Sequence, residues 1–189
     1  MWESLIEKDQ QWFVFLNGLG SPAWDPFWRA LSDKWVALPL YVLLLYLTVR
    51  QIGWKRTALF LVFIGLLITC TDQLSNFFKY GMRRLRHCHE HELDGMVRLV
   101  KESCGGRFGY FSAHAANSFG LATYFAVFWG RQRLLWAAFL LFWALLVAYS
   151  RIYLGVHYPF DVMSGSLAGA LLGWLFARLF IRADQKLFT

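Results

Sequence analysis

Hydrophobic residues fall along this chain in long blocks. Residues 35–49, 57–78, 114–130, 134–149 and 162–181 are runs of helix-forming apolar side chains with very few charges, several of them close to the roughly 20 residues that carry a helix across hydrocarbon. Five transmembrane helices are predicted. The shortest run, WVALPLYVLLLYLTV, must borrow flanking residues or sit in thinned bilayer. Ahead of the blocks, Trp2, Leu5, Ile6, Phe13 and Leu16 fall near one helical face and Glu3, Glu7, Lys8, Gln10 and Gln11 on the other, which predicts an amphipathic helix in the membrane plane. Gly18, Gly20, Pro22 and Pro26 then break the chain before Trp24 and Trp28, whose rings suit the headgroup level. A sixth crossing through residues 11–32 would put those breakers into lipid. The acidic start lacks the basic flank and apolar core of a cleaved signal peptide. The expected fold is thus all-α and integral to the membrane, one domain overall, with an interfacial segment 1–34 and a membrane domain 35–189.

Composition agrees, since 58% hydrophobic residues exceed the roughly 45–50% of soluble proteins. The net charge of +7 raises nucleic acid as a partner, yet no soluble basic domain exists to bind it; the basic residues sit at span ends. With alternating spans, one face carries eight Lys and Arg and the other eleven, so a raw positive-inside count does not fix orientation. Setting aside Lys79, Arg86 and Arg151 as retained for chemistry levels the count, and the two densely basic short turns point to the cytoplasm. Cys88 and Cys104 share the long connection 80–111, where an oxidising exterior would let them pair; two free thiols are the other reading.

Three polar clusters emerge on one side. In KYGMRRLRH, Lys79, Arg83 and Arg86 would line one stripe of a continuing helix. In FSAHAANS, Ser112 and Ser118 flank a helix start with His114 in its first turn. In SRIYLGVHYPFD, His157 and Asp161 are one turn apart if a helix begins near Pro159. Singly, these are snorkelling cations and interfacial polar residues. Together they describe an oxyanion site with acid–base groups beside it, because ionisable residues at membrane depth are costly and normally functional. A phosphate is the natural ligand. HCHEHE, with His87, Cys88, His89 and His91, also suggests a metal cluster, but alternate spacing splits its neighbours and leaves only Cys104 to complete it; a polar loop is the plainer reading.

Lys79-x6-Arg86, Ser112-Ala113-His114 and Ser150-Arg151-x5-His157-x3-Asp161 resemble the three signature motifs of the type 2 phosphatidic acid phosphatase superfamily, membrane lipid phosphatases that share a site with vanadium haloperoxidases. His87 stands where that family usually has proline, and Phe111 and Ala113 replace its usual Pro and Gly. The resemblance implies His157 as nucleophile, Asp161 as its orienting carboxylate and His114 as general acid and base, with a bell-shaped pH profile. It implies Lys79, Arg86, Arg151, the Ser112 hydroxyl and the Ala113 N–H as phosphate ligands. Three fixed cations would stand in for a metal, so no cofactor is expected. The implied substrate is a lipid phosphate or diphosphate: undecaprenyl diphosphate, phosphatidylglycerol phosphate, phosphatidic acid or lipid A. Small bacterial members of that kind imply the inner membrane with the site facing the periplasm. Phosphotransfer to a lipid hydroxyl through the same intermediate, and a non-catalytic lipid-binding role, are the competing readings.

Overall fold

The computed structural model describes residues 2–90, 93, 95–101 and 103–188, less the side chains of Trp2 and Arg131. Among these residues there are six α-helices and no strand: α1 Trp2–Gly18, α2 Asp25–Leu31, α3 Leu38–Met82, α4 Ala113–Trp129, α5 Leu134–Tyr153 and α6 Pro159–Phe188. Proline opens or nearly opens α2, α3 and α6, where its missing N–H costs nothing. Helices α3, α5 and α6 are long and apolar enough to cross a membrane, and the protein is an integral membrane protein.

Helix α3 is not one rod. Gly53 sits at φ 76°, ψ 168°, outside the helical region, a conformation glycine adopts without strain. The chain folds back there: Leu44 and Thr48 line one cavity with Phe60 and Ile64, and Tyr41 lines another with Ile68. The core is built on the second arm, where the Phe60 ring packs on Tyr124, Phe125, Phe128 and Phe180 with centroids 4.7–5.2 Å apart.

Helices α4 and α6 make the tightest pair. Gly165, Gly169 and Gly173 recur every fourth residue and lie against the α4 backbone at Ser112, Ala116 and Gly120; a Cβ on Gly169 would overlap the Ala116 carbonyl. Small residues let backbones approach in this way inside membranes. The contact registers the start of α4 against the start of α6, where the motif residues lie. Near the other end of α6, Asp184 accepts from Arg56 Nε at 2.6 Å.

Helix α1 packs against the protein along one side. Its buried stripe is Asp9, Phe13 and Asn17, all at 0% exposure, while Leu5, Trp12 and Phe15 are exposed. Asn17 explains part of this. Its amide donates to the carbonyls of Arg98, Ile152 and Tyr153 at 3.1, 3.2 and 2.9 Å, and its oxygen accepts the Arg98 N–H at 2.7 Å. Both the amide nitrogen and the oxygen of one buried side chain are thereby engaged, pinning α1 to the end of α5.

Candidate active site

The first cluster does not continue as a helix. Helix α3 stops at Met82, and Arg83 takes the left-handed C-cap position at φ 50°, so the predicted stripe of Lys79, Arg83 and Arg86 is broken. Arg83 is exposed and its Nε donates to the Tyr80 carbonyl. Arg84 turns inward instead. Arg86 follows in extended backbone, donating through Nη1 to the carbonyls of Cys104 and Val156 at 2.7 and 2.8 Å and through Nε to Phe108 at 3.3 Å. One guanidinium thus joins the long connection to the residue before His157.

The same connection is closed by a Cys88–Cys104 disulfide with Cα atoms 6.3 Å apart. His87 packs beside it, its ring nitrogens 3.1 Å from Cys88 Sγ and 3.6 Å from Cys104 Sγ. These three residues form a metal-sized group, but sulfurs joined to each other offer no thiolate. His89 is exposed, and His91 lies outside the described residues. Burial and the Arg86 charge push the His87 pKa down to about 4.

At the second cluster Ser112 is the N-cap of α4, its hydroxyl oxygen accepting from the Ala115 N–H at 3.5 Å. Its own N–H donates to the Asp161 carbonyl at 2.9 Å, which ties α4 to α6. His114 stands exposed in the first turn.

At the third cluster Arg151 is 5% exposed and donates through Nη1 to the Ser32 hydroxyl; its Nε has no partner among the described residues. Its carbonyl accepts the N–H groups of Val156 and His157 at 3.0 and 3.3 Å, folding the loop back on itself. Helix α6 begins at Pro159, so His157 and Asp161 face each other with Nδ1 3.4 Å from Oδ2. The same Oδ2 accepts the Tyr158 N–H at 3.1 Å, and Oδ1 accepts from Arg84 at 3.1 Å. Burial first, then the charges of Arg86, Arg151 and Lys79, hold the His157 pKa well below its ordinary value. The imidazole turns Nδ1 to the carboxylate, and its surroundings favour the neutral ring.

Two cavities meet at His114. A polar one of about 540 Å³ is lined by Arg29, Ser32, Asp33, Lys34, Lys101, Ser103 and His114. A mainly apolar one of about 380 Å³ shares Ser32, Asp33, Lys34 and His114 and runs along Tyr41, Ile68, Leu121 and Trp143. Burial and the charge of Arg151 lower the Lys101 pKa, as crowded cations do.

A bundle of apolar helices that collects a buried histidine–aspartate pair and three cations at its helix ends defines a membrane phosphatase of one family: a model of the PAP2 superfamily matches residues 57–185, and the chain belongs to it. It is a membrane lipid phosphatase. The chain is 40% identical to a lipid A 4'-phosphatase of Bacteroides thetaiotaomicron over 178 residues, 93% of this chain and 78% of the relative. Among solved structures, Aquifex aeolicus LpxE superposes with TM-score 0.66 at 25% identity, covering 89% of this chain and 94% of that one. A transmembrane PAP2 type phosphatidylglycerolphosphate phosphatase from Bacillus subtilis gives 0.67 at 23% identity, covering 97% and 88%.

The motif residues therefore meet at one end of the bundle. Sequence reasoning missed Arg84, whose neighbours Arg83 and Arg86 fitted a helical stripe better. It also missed Asp9, which the amphipathic pattern placed on neither face, and the cavity cations Arg29, Lys34 and Lys101, read only as charge at span ends.

Proposed function

We propose that the protein removes a phosphate from a lipid A type glycolipid, at a site facing the periplasm from the bacterial inner membrane, through a phosphohistidine on His157. The observation that carries this reading is the meeting of a polar and an apolar cavity at His114, beside a buried imidazole under the influence of three cations. An amphiphile fits such a trough with its headgroup among Arg29, Lys34 and Lys101 and its chains along Tyr41, Leu121 and Trp143. The Bacteroides relative supports lipid A over the other lipids; the Bacillus neighbour makes phosphatidylglycerol phosphate the first competitor.

In the first half-reaction His157 Nε2 attacks phosphorus, the bond from phosphorus to the lipid oxygen breaks, and His114 gives that oxygen a proton. Asp161 supports the imidazolium that forms. In the second half a water attacks phosphorus, His114 takes its proton, and the P–N bond breaks to release inorganic phosphate. Lys79, Arg86 and Arg151 hold the phosphoryl oxygens, joined by the Ala113 N–H at the positive end of α4 and by the Ser112 hydroxyl, which keeps its proton to donate while its oxygen caps the helix. These cations supply the charge a divalent metal would, so no metal is required.

In the bilayer, the two arms of α3 on either side of Gly53 are two crossings and α4, α5 and α6 are three more, with α1 docked in the plane. The 17 residues of α4 give about 25 Å of helix, enough for a thinned bilayer. The turns bearing Arg50, Lys55, Arg56 and Arg133 then face the cytoplasm, and the disulfide lies on the oxidising side.

The test is phosphate release by purified protein from lipid A, phosphatidylglycerol phosphate, phosphatidic acid and undecaprenyl diphosphate, with His157→Ala as blank. Lipid A is expected to show the highest kcat/KM. Equal or faster turnover of another lipid reassigns the substrate, and turnover unchanged in His157→Ala removes the mechanism.

A further inference from the structure

Asp9 and Arg84 have no part in the chemistry above, yet they are placed against it. The Asp9 carboxylate is wholly buried and comes from α1, outside the residues matched by the family model. Its Oδ1 accepts the Phe160 N–H at 2.9 Å, one of the donors that the first turn of α6 leaves without an intrahelical partner. Its Oδ2 lies 2.7 Å from Arg84 Nη2, a close ion-pair contact bent off the hydrogen-bond line. The other arm of the fork, Nη1, donates to Asp161 Oδ1 at 3.1 Å, and the guanidinium lies over the Tyr158 ring, 4.1 Å from its centroid. From Asp161 Oδ2 it is 3.4 Å to His157 Nδ1.

We infer that Asp9 and Arg84 are positioning residues that extend the His157–Asp161 pair into a four-member relay running from α1 to the nucleophile. The physical reason lies in how Arg84 is shared. An arginine paired only with Asp161 would neutralise the carboxylate that has to support a phosphoimidazolium. With Asp9 on its other arm, Arg84 holds Oδ1 of the buried Asp161 carboxylate in place while its charge is divided between two anions. Asp161 is thereby oriented without being silenced. Asp9 also caps the helix that carries Asp161, so α1 sets both the position of that carboxylate and its effective charge. This inference rests on His157 being the nucleophile.

Asp9→Asn tests it, since an amide oxygen still accepts the Phe160 N–H but carries no charge for Arg84. The expected result is a kcat at least tenfold lower per folded molecule with KM changed less than twofold. In the doubly substituted protein Asp9→Asn with Asp161→Asn, kcat is expected to match that of Asp161→Asn alone, because the two act along one line. Arg84→Lys is expected to retain part of the rate that Arg84→Gln loses. In the ligand-free protein the ¹⁵N signals of the His157 ring are expected to move in Asp9→Asn and not in Asp25→Asn, which removes a carboxylate from another ion pair, that with Arg98. An unchanged kcat, multiplying effects in the double variant, unmoved ring signals, or an Asp9→Asn protein that does not fold each overturn the inference. The ring signals are read without substrate. Turnover of no lipid by the unsubstituted protein therefore counts against the proposed function and leaves the relay to be judged separately.

Discussion

At the scale of single residues, burial beside cations favours the neutral form of two imidazoles. His157 and His87 both have pKa values held below the ordinary 6.5, so the unfolded chain binds more protons at these positions than the native one. Their contribution to stability is present above about pH 6.5 and is lost as the pH falls below it. Melting of the detergent-solubilised protein is expected to occur at lower temperature at pH 5 than at pH 7. His87→Gln should flatten that dependence, and an equal slope in the variant would count against it. The His157 ring signals are also expected not to titrate between pH 7 and 5.5. Arg86 is the residue whose loss should be felt most broadly, because it organises three carbonyls as well as supplying charge. Arg86→Ala is expected to lower kcat/KM by about 10²–10³, the range found for removing one stabilising donor.

Legibility at this scale followed the reach of each interaction. The His157–Asp161 spacing was readable because both ends lie within four residues, at the start of one helix. The buried role of Asp9 was not, since its partners are Phe160 and Arg84, far along the chain, and a carboxylate on an amphipathic helix gives no sign of burial unless its partner is known. Arg86 was readable as a charge but not as a brace, because the end of α3 at Met82 rests on a left-handed Arg83 that no local rule demands.

At the scale of elements the controlling contact is α4 against α6. Gly169→Ala places a methyl group where the Ala116 carbonyl lies, and overpacking of this kind costs about 1–3 kcal/mol. The thermal midpoint is expected to fall and kcat to drop further than partial unfolding explains, because Ser112 and Asp161 are bonded across the same seam. A variant with unchanged midpoint and activity would show that the seam can open without loss. The apolar blocks made the helices themselves legible. Their lengths were less so, since α6 runs on through charged residues to Phe188, well past the hydrophobic block ending at residue 181. The glycine stripe went unread because its meaning depends on which helix lies opposite.

The disulfide belongs to the same scale. Cys104 supplies the carbonyl that accepts from Arg86, so the bridge restrains that guanidinium through the backbone. Cys104→Ser, or treatment with a reductant, is expected to reduce kcat severalfold while the helical signal is kept; full activity after verified reduction would separate the bridge from the site.

For the whole molecule, phosphate release is expected to survive chelators, and a sustained loss restored by a divalent ion would return metal to the mechanism. The trough invites a steric test. Ser118 lines the apolar cavity, and Ser118→Trp is expected to raise KM for long-chain lipid substrates while leaving a short-chain soluble phosphate ester unaffected. Equal effects on both would mean that the chains lie elsewhere.

The junction of the two cavities at His114 has a consequence for traffic. On the proposed function, phosphate and lipid would part company there and have separate ways out, the small anion outward past Lys101 into water and the tail sideways past Trp143 into the bilayer. A spent lipid would then never need to leave the leaflet, and the next one would slide in along the groove while the previous phosphate departs.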